Sequence, residues 1–258
     1  MSKINVENLT KDYGNGKGIF DLNFTIEKGE VFGYIGPNGS GKTTTIRHLL
    51  GFLKPDKGIC TIGNLQCKKD SAKIHEDLGY LPGEISLLED ITGIEFLKFM
   101  GHLRKLKDFS YMNELVELFE LNAKEKIKKM SKGMKQKLAI ICAFMHNPST
   151  LILDEPTSGL DPLMQNKFID LILKEKALGK TIFMSSHNFE EVERTCDKVA
   201  IIKEGRFVTV KETSTLKENQ RKIYRVSFKS KEEADKFTKE NFEIISQTDH
   251  VVKAAISG

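Results

Sequence analysis

The sequence predicts an α/β fold with an N-terminal antiparallel β subdomain, an all-helical insertion and a small C-terminal β-α-β appendage. An apolar run at residues 31–35 leads into a glycine-rich loop and a helical stretch, the order expected of a buried parallel strand followed by a helix. Apolar residues repeat at helical spacing between about 84 and 145, and strand-like alternation returns after residue 213.

Composition limits the classes of partner. Forty basic and 36 acidic residues give the 258-residue chain a net charge of +4, a balance that does not indicate nucleic acid. No apolar run approaches the ~20 residues needed to span a bilayer, and the first ten residues lack the apolar core of a secretion signal. The four cysteines show no paired or metal-ligand spacing and are expected to be reduced thiols. We therefore expect a cytoplasmic protein.

The N-terminal region predicts two strands and a candidate for base stacking. Residues 3–10 and 19–26 alternate between apolar and polar side chains, which is typical of half-buried antiparallel strands. The turn cluster between them begins at Tyr13. An exposed tyrosine on a turn is usually an ordinary rim residue, yet an adenine ring needs an aromatic face, so both interpretations of Tyr13 stay open.

The glycine-rich loop fits the spacing of a phosphate-binding loop. Its glycines let backbone N–H groups turn inward, and the helix that follows presents its positive end to an anion. Lys42 would contact the β- and γ-phosphates of ATP, and the Thr43 hydroxyl would hold Mg²⁺. The candidate nucleotide-binding residues are Tyr13, Gly36, Pro37, Asn38, Gly39, Ser40, Gly41, Lys42, Thr43 and Thr44.

A second helix start lies in the lysine-rich stretch 124–137. A lysine run is most often a solvated face. Here, however, Ser131 is a natural N-cap and Gly133 follows it at the start of a helix expected to run to about His146. A helix start surrounded by cations is a candidate anion site.

Two carboxylates end the apolar strand predicted at residues 150–154. One interpretation is that the strand simply reaches the surface at Asp154, but a phosphate loop in the same chain favours a role with Mg·ATP. One carboxylate, Asp154, would hold the metal's water shell and the other, Glu155, would orient the attacking water. His187 follows the next predicted strand, at the edge where open α/β sheets bind ligands.

Five motifs occur in an order that resembles an ABC-type ATPase, the separate nucleotide-binding subunit of an ABC transporter. They are the loop at 36–43, the helix start at 131–133, TLILDE ending at Glu155, SGLD at 158–161 and His187. The resemblance covers residues 2 to about 212 and implies a P-loop NTPase core. We therefore expect a nucleotide-binding domain at 1–212, with its helical insertion at about 84–145, and an accessory region at 213–258.

The resemblance implies a head-to-tail homodimer or heterodimer that encloses two ATP molecules. Lys42 and Thr43 of one subunit would face Ser131, Lys132 and Gly133 of the other. It also implies a separate transmembrane permease subunit as partner and a place on the cytoplasmic face of the cell membrane.

Further residue roles follow from the same resemblance. Tyr13 matches the aromatic residue that stacks on adenine, and Glu155 matches the general base. Asp161 matches a loop that crosses the dimer interface, and His187 matches the sensor of the γ-phosphate. Lys42 joins Glu155 and His187 as a catalytic candidate, and Thr43 and Asp154 are the candidate metal ligands.

Two positions depart from the family pattern. The signature is usually LSGGQ, whereas residues 130–134 read MSKGM, with Lys132 in place of the first glycine. The glutamine expected after the strand near residue 80 is Gly83 here, and the adjacent Glu84 is a candidate substitute.

By resemblance we expect export, as in cassettes for drugs, peptides or lipids. A soluble ABC-type ATPase acting on ribosomes or DNA is the first alternative, which the single motif set and the lack of sustained heptads disfavour. A nucleotide-binding regulator with weak turnover is the second. The tail beyond 213 is either a truncated module or a short regulatory one.

Overall fold

The computed structural model describes residues 3–218, 221–240 and 242–257. The chain divides into two units, Met1–Val210 and Lys211–Gly258. The helices and strands, in chain order, are β1 (Ile4–Asp12), β2 (Gly18–Ile26), β3 (Val31–Ile35), α1 (Lys42–Leu49), β4 (Lys57–Ile62), β5 (Leu65–Gln66), α2 (Ser71–Glu76), β6 (Leu78–Leu81), α3 (Gly93–Leu103), α4 (Ser110–Leu118), a 3₁₀ helix (Ile127–Lys129), α5 (Lys132–Phe144), β7 (Thr150–Asp154), α6 (Pro162–Ala177), β8 (Thr181–Ser186), α7 (Phe189–Thr195), β9 (Lys198–Lys203), β10 (Arg206–Glu212), α8 (Thr213–Glu218), β11 (Arg221–Ser227), α9 (Lys231–Phe237), β12 (Glu243–Thr248) and β13 (Val251–Ser257).

A four-stranded sheet in the order β2-β1-β4-β5 forms the N-terminal β subdomain. The antiparallel strands expected at 3–10 and 19–26 are confirmed as β1 and β2, with Ile4 opposite Ile26. Strand β1 also pairs antiparallel with β4, so it lies inside the sheet. The alternating apolar side chains of β1 and β2 are buried on one face.

A six-stranded sheet in the order β10-β9-β3-β8-β7-β6 forms the second layer. Strands β9, β3, β8, β7 and β6 are parallel. In register, Ile35 lies opposite Ser186, and Asp154 lies opposite Ser185. The ends of β3, β7 and β8 therefore meet at one edge, which is where open α/β sheets place their ligands.

An aromatic cluster joins the two sheets. The ring of Phe24 stacks on Phe32 with centroids 5.2 Å apart, and Tyr34 and Phe183 lie 5.2 Å from each other. The buried side chains of helix α1, among them Ile46, belong to the same core. The helix that follows the glycine-rich loop is thus fixed by burial on several sides, which holds the loop at the sheet edge.

The region predicted as an all-helical insertion contains helices α3, α4 and α5, but part of it is not helical. Residues 84–92 carry no helix, and a β-bridge joins Thr92 to Lys126. Arg104, just after α3, donates to the carbonyl oxygens of His75 and Leu78, each at 3.2 Å, and so ties this region to the sheet. None of the helices in the described ranges has the length and apolar content that crossing a bilayer requires.

The C-terminal region is expected to be a β-α-β arrangement with one or two strands after its helix, and the structure has two there, β12 and β13. Its antiparallel sheet has the order β11-β13-β12. Helix α9 begins after Ser230 and ends at Phe237. Ser230 caps it by accepting from the N–H of Glu233, whereas the Glu233 carboxylate accepts from the N–H of Lys229, one residue outside a capping box.

Candidate functional site

The glycine-rich loop wraps around the side chain of Lys42. Gly41 has a φ of 110°, a backbone conformation that glycine adopts without strain. At Gly36 a Cβ would lie 2.5 Å from the carbonyl oxygen of Ile202, so no larger residue fits there without movement. The Lys42 ammonium is buried and donates to the carbonyl oxygens of Gly36 at 2.6 Å and Pro37 at 3.3 Å.

A cavity of about 800 Å³ opens over this loop. Most of the predicted nucleotide-binding residues line it, and Tyr13, which is 54% exposed, is among them. Ser40, within the loop, is buried, and its Oγ has no hydrogen-bond partner. The residues that line the cavity are Tyr13, Gly16, Lys17, Gly18, Pro37, Asn38, Gly39, Gly41, Lys42, Thr43, Thr44, Gly83, Glu84, Asp154, Glu155 and Glu204.

Asp154 is buried at the end of β7, where two hydroxyl groups reach it. Ser185 on the neighbouring strand donates to Oδ1 at 2.5 Å, and Thr43 donates to Oδ2 at 3.1 Å. Burial raises the pKa of Asp154 above its usual range, although both hydrogen bonds lower it. A carboxylate in this position gains from a nearby cation, because a cation offsets the cost of burying its charge.

Glu155 joins the loop lysine to the predicted sensor histidine. Its Oε1 lies 3.2 Å from the Lys42 ammonium, and its Oε2 lies 2.5 Å from Nδ1 of His187. The Glu155 backbone has a φ of 49°, in the left-handed region, and its N–H is held by the hydroxyl of Ser185 at 3.1 Å. The structure thus brings together three predicted catalytic residues that are far apart in the sequence.

The donor set at Thr43 and Asp154 suits Mg²⁺. This ion keeps several water ligands and takes one or two carboxylates together with phosphate oxygens. Across residues 3–218, 221–240 and 242–257, no group of three or more His, Cys, Asp or Glu side chains is placed to hold a metal. One carboxylate beside a hydroxyl, at the mouth of a phosphate loop, fits a metal that arrives with a nucleotide.

The signature residues lie outside the cavity of their own chain. Ser131 caps α5 as expected, accepting from the N–H of Met134 at 3.2 Å. A Cβ on Gly133 would lie 2.8 Å from the carbonyl oxygen of Gly159, so α5 begins directly against the SGLD turn. The methylenes of Lys132 lie along the same turn.

Asp161 caps a helix and does not line the cavity either. Its Oδ1 accepts from the N–H of Met164 at 3.0 Å, and Pro162 occupies the first position of α6. An Asp-Pro pair is a common helix start, so local structure alone accounts for this aspartate.

The departure at residue 83 lies next to the candidate metal ligand. Gly83 and Glu84 both line the cavity. A Cβ on Gly83 would lie 3.1 Å from Oδ2 of Asp154. The Asp154 carboxylate therefore lies close to the backbone of Gly83, and a side chain at position 83 would crowd it.

Three polar residues of the site were missed by the sequence analysis. Ser185 supports Asp154, and Gln136 of α5 donates from its amide to the carbonyl oxygen of Pro156 at 2.7 Å. Glu191 accepts from the hydroxyls of Ser186 and Thr157. The signal for the serines was their place at the end of a buried strand, next to His187.

Comparisons with known proteins identify the family. Residues 19–158 match the family model described as ABC transporter. The chain is 36% identical over 212 residues to the linearmycin resistance ATP-binding protein LnrL of Bacillus subtilis, covering 80% of this chain and 68% of LnrL. It is 34% identical over 246 residues to the bacitracin transport ATP-binding protein BcrA of Bacillus licheniformis, covering 93% of this chain and 80% of BcrA.

A solved structure of similar fold represents a state after hydrolysis. It is the dimeric ATP-binding cassette MJ0796 bound to ADP and phosphate, with a TM-score of 0.71 and 25% identity. The similarity covers 81% of this chain and 98% of that one. With the family match, the resemblance noted in the sequence is confirmed. This chain belongs to the ABC transporter family, as an ATP-binding subunit with the P-loop fold and the ATPase activity of its cassettes.

Proposed function

We propose that this subunit hydrolyses ATP to power export through a separate transmembrane permease, by ATP-driven pairing of two nucleotide-binding domains. The observation that carries the proposal is the linkage of Lys42, Glu155 and His187 at the edge of the sheet, beside the phosphate loop. The names of LnrL and BcrA refer to linearmycin resistance and bacitracin transport, which supports export of a drug-like or peptide compound.

Glu155 is the general base in this proposal. It accepts a proton from water as the water oxygen bonds to the γ-phosphorus, and the bond from that phosphorus to the bridging oxygen breaks to release ADP. Lys42 stabilises the charge on the phosphate oxygens, and His187 contacts the γ-phosphate while it orients Glu155. Tyr13, at the rim of the cavity, stacks on the adenine.

Thr43 and Asp154 would hold Mg²⁺. The bound ion would neutralise part of the phosphate charge. Ser185 keeps the Asp154 carboxylate in place, because its hydroxyl occupies the oxygen that faces away from Thr43. Glu84, on the cavity wall, takes the place of the absent glutamine.

The second half of each site comes from another nucleotide-binding subunit, identical or different. Ser131, Lys132 and Gly133 present a capped helix start that does not reach the cavity of their own chain, and Asp161 begins α6 from the adjacent turn. An incomplete site with an unused helix N-terminus fits a partner's triphosphate. The dimeric form of the similar cassette MJ0796 supports this arrangement.

The permease docks on the region from residue 80 to 103. Large apolar side chains are exposed there, at Leu88, Phe99 and Leu103, and Phe99 is 48% exposed. Phe99 and Leu103 lie one turn apart on α3, and exposed apolar patches are typical of interaction surfaces. The subunit therefore works as a peripheral protein on the cytoplasmic face of the membrane, and no nucleic-acid partner is expected.

ATP-driven pairing of a slow-turnover variant tests this function. Glu155→Gln keeps the shape of the site and should accumulate as a dimer with Mg·ATP, seen by light scattering on a sizing column. The matched control is Glu155→Gln combined with Ser131→Arg, which obstructs the helix start and should stay monomeric. Glu155→Gln that stays monomeric at saturating Mg·ATP would refute ATP-driven pairing.

A further inference from the structure

Glu191 is a buried carboxyl that joins two parts of the site. It lies in the first turn of α7 and is 2% exposed. Its Oε2 accepts two hydrogen bonds, from the hydroxyl of Ser186 at 2.7 Å and from the hydroxyl of Thr157 at 3.2 Å. Its other carboxylate oxygen is buried without a partner.

The two donors stand next to the proposed catalytic residues. Ser186 directly precedes His187, and Thr157 follows Glu155 by two residues. One oxygen of Glu191 therefore holds both segments that carry the Glu155–His187 pair. A shift of either segment would change the 2.5 Å separation between Oε2 of Glu155 and Nδ1 of His187.

Glu191 belongs to a helix that packs on the sheet. Within this helix, α7, the hydroxyl of Thr195 donates to the carbonyl oxygen of Glu191 at 2.8 Å. Helix α7 lies directly on β3, since a Cβ on Gly33 would lie 2.4 Å from Cγ1 of Val192 and 3.1 Å from Sγ of Cys196. Strand β3 leads into the phosphate loop. The helix that carries Glu191 therefore packs on the same strand that positions Lys42.

A carboxyl in this position is costly for the fold alone. A buried carboxyl oxygen without a partner loses the free energy of its hydration, and an apolar residue of similar volume would avoid that loss. Residues that are unfavourable for stability are expected where a protein positions reacting groups. The contacts of Glu191 lead to such groups on both sides.

We propose that Glu191 is a positioning residue for ATP hydrolysis, which holds Ser186 and Thr157 so that Glu155 and His187 stay aligned with the phosphate loop. This inference rests on the proposed roles of Glu155 and His187. Glu191 touches neither the cavity nor the loop residues, so it acts on the rate of the chemical step and not on nucleotide binding.

Substitutions at Glu191 separate alignment from binding. In the full chain, Glu191→Ala should lower kcat about 10- to 100-fold, as expected for misplaced catalytic groups, while KM for Mg·ATP changes less than about twofold. Glu191→Gln keeps an acceptor oxygen and should recover part of the loss. Glu190→Gln, at the exposed neighbouring position, is the matched control and should leave both constants unchanged.

Two smaller substitutions test the same contact if Glu191→Ala does not fold. Thr157→Val and Ser186→Ala each remove one donor and should lower kcat by about three- to tenfold without changing the affinity for ATP. Each should add little to Glu191→Ala, because both hydroxyls act through the carboxylate that this variant lacks.

The outcomes distinguish this inference from the proposed function. Normal kcat in the folded Glu191→Ala, Thr157→Val and Ser186→Ala variants, with Glu155→Gln inactive, would overturn the positioning role alone. Normal turnover in Glu155→Gln would overturn the assignment of the base, and the positioning role with it. A loss of ATP affinity equal to the loss of kcat would also overturn it, because a general structural effect would then explain the data.

Discussion

Glu155 and His187 meet across neighbouring strands, with the carboxylate Oε2 2.5 Å from Nδ1 of the imidazole. Because a carboxylate oxygen in this pair accepts, the proton lies on Nδ1, and Nε2 is left for another partner. The register of β7 against β8 brings the two side chains together. Asp154 lies opposite Ser185, Glu155 directly follows β7, and His187 directly follows β8. We therefore expect the two side chains to act as one unit.

Substitutions in this pair should not be additive. We expect Glu155→Gln and His187→Ala each to lower kcat for phosphate release about 10²- to 10⁴-fold, the range for loss of general-base catalysis. The double variant should lie within about threefold of the slower single variant, because the second change removes a group that no longer has its partner. His250→Ala, in the C-terminal unit, is the control for loss of a histidine. If the double variant instead loses kcat by the product of the two single losses, the pair does not act together.

Affinity for ATP should rise when Glu155 loses its charge. Its Oε1 lies 3.2 Å from the Lys42 ammonium, so the carboxylate competes with phosphate oxygens for the same cation. We expect Glu155→Gln to bind ATP about three- to tenfold more tightly in titration calorimetry at moderate ionic strength, since one charge that repels the triphosphate is gone. Glu204→Gln, which removes a carboxylate from the cavity wall away from this ion pair, should change affinity less. Equal effects would show that only net charge matters.

An added methyl group at Gly83 should disturb the proposed metal site. Its Cβ would lie 3.1 Å from Oδ2 of Asp154, and that carboxylate has little freedom because Ser185 and Thr43 both hold it. We expect Gly83→Ala to raise the Mg²⁺ concentration for half-maximal ATPase activity about three- to tenfold, the scale for disturbed metal-site support. Ser86→Ala, exposed in the same loop, should leave it unchanged. An unaltered Mg²⁺ requirement in Gly83→Ala would mean that Asp154 adjusts freely.

Much of the fold and of the phosphate site could be predicted because the signals are local. The strand, loop and helix around Lys42 occupy one short stretch, and the cap at Ser131 depends on residues within one helical turn. Each of these elements forms from neighbours in the sequence. Their dihedral angles, spacing and capping groups can be recognised without knowledge of the strand order.

The hydrogen bonds that support the site could not be predicted, because they join residues that only the order of the strands brings together. Glu191 and Thr157 are 34 residues apart, and Gln136 reaches Pro156 across 20. A glutamate in an amphipathic helix usually faces solvent. Glu191 is instead buried, because Gly33 lets α7 lie close against β3 and the glutamate then faces the interior. No local sequence pattern shows this packing.

The buried carboxyl of Glu191 should make stability depend on pH. Burial raises the pKa of Glu191 to about 7, from an ordinary value of about 4.3, although hydrogen bonds from Ser186 and Thr157 oppose the shift. The charge of Glu155 raises this pKa further, and His187 lowers it. Over this interval the folded state keeps a proton that the unfolded state has released, so the contribution of Glu191 to the free energy of unfolding falls as pH rises.

Glu191→Gln removes this dependence and should gain stability relative to wild type as pH increases. Between about pH 5 and about pH 8 the difference in the free energy of unfolding should move in favour of the variant by on the order of 3 kcal/mol, since one pKa unit corresponds to about 1.4 kcal/mol. Urea unfolding at both pH values measures it, and Glu190→Gln, exposed beside it, should show no such trend. A difference that is the same at both pH values would mean that Glu191 carries the same charge in the folded and unfolded states.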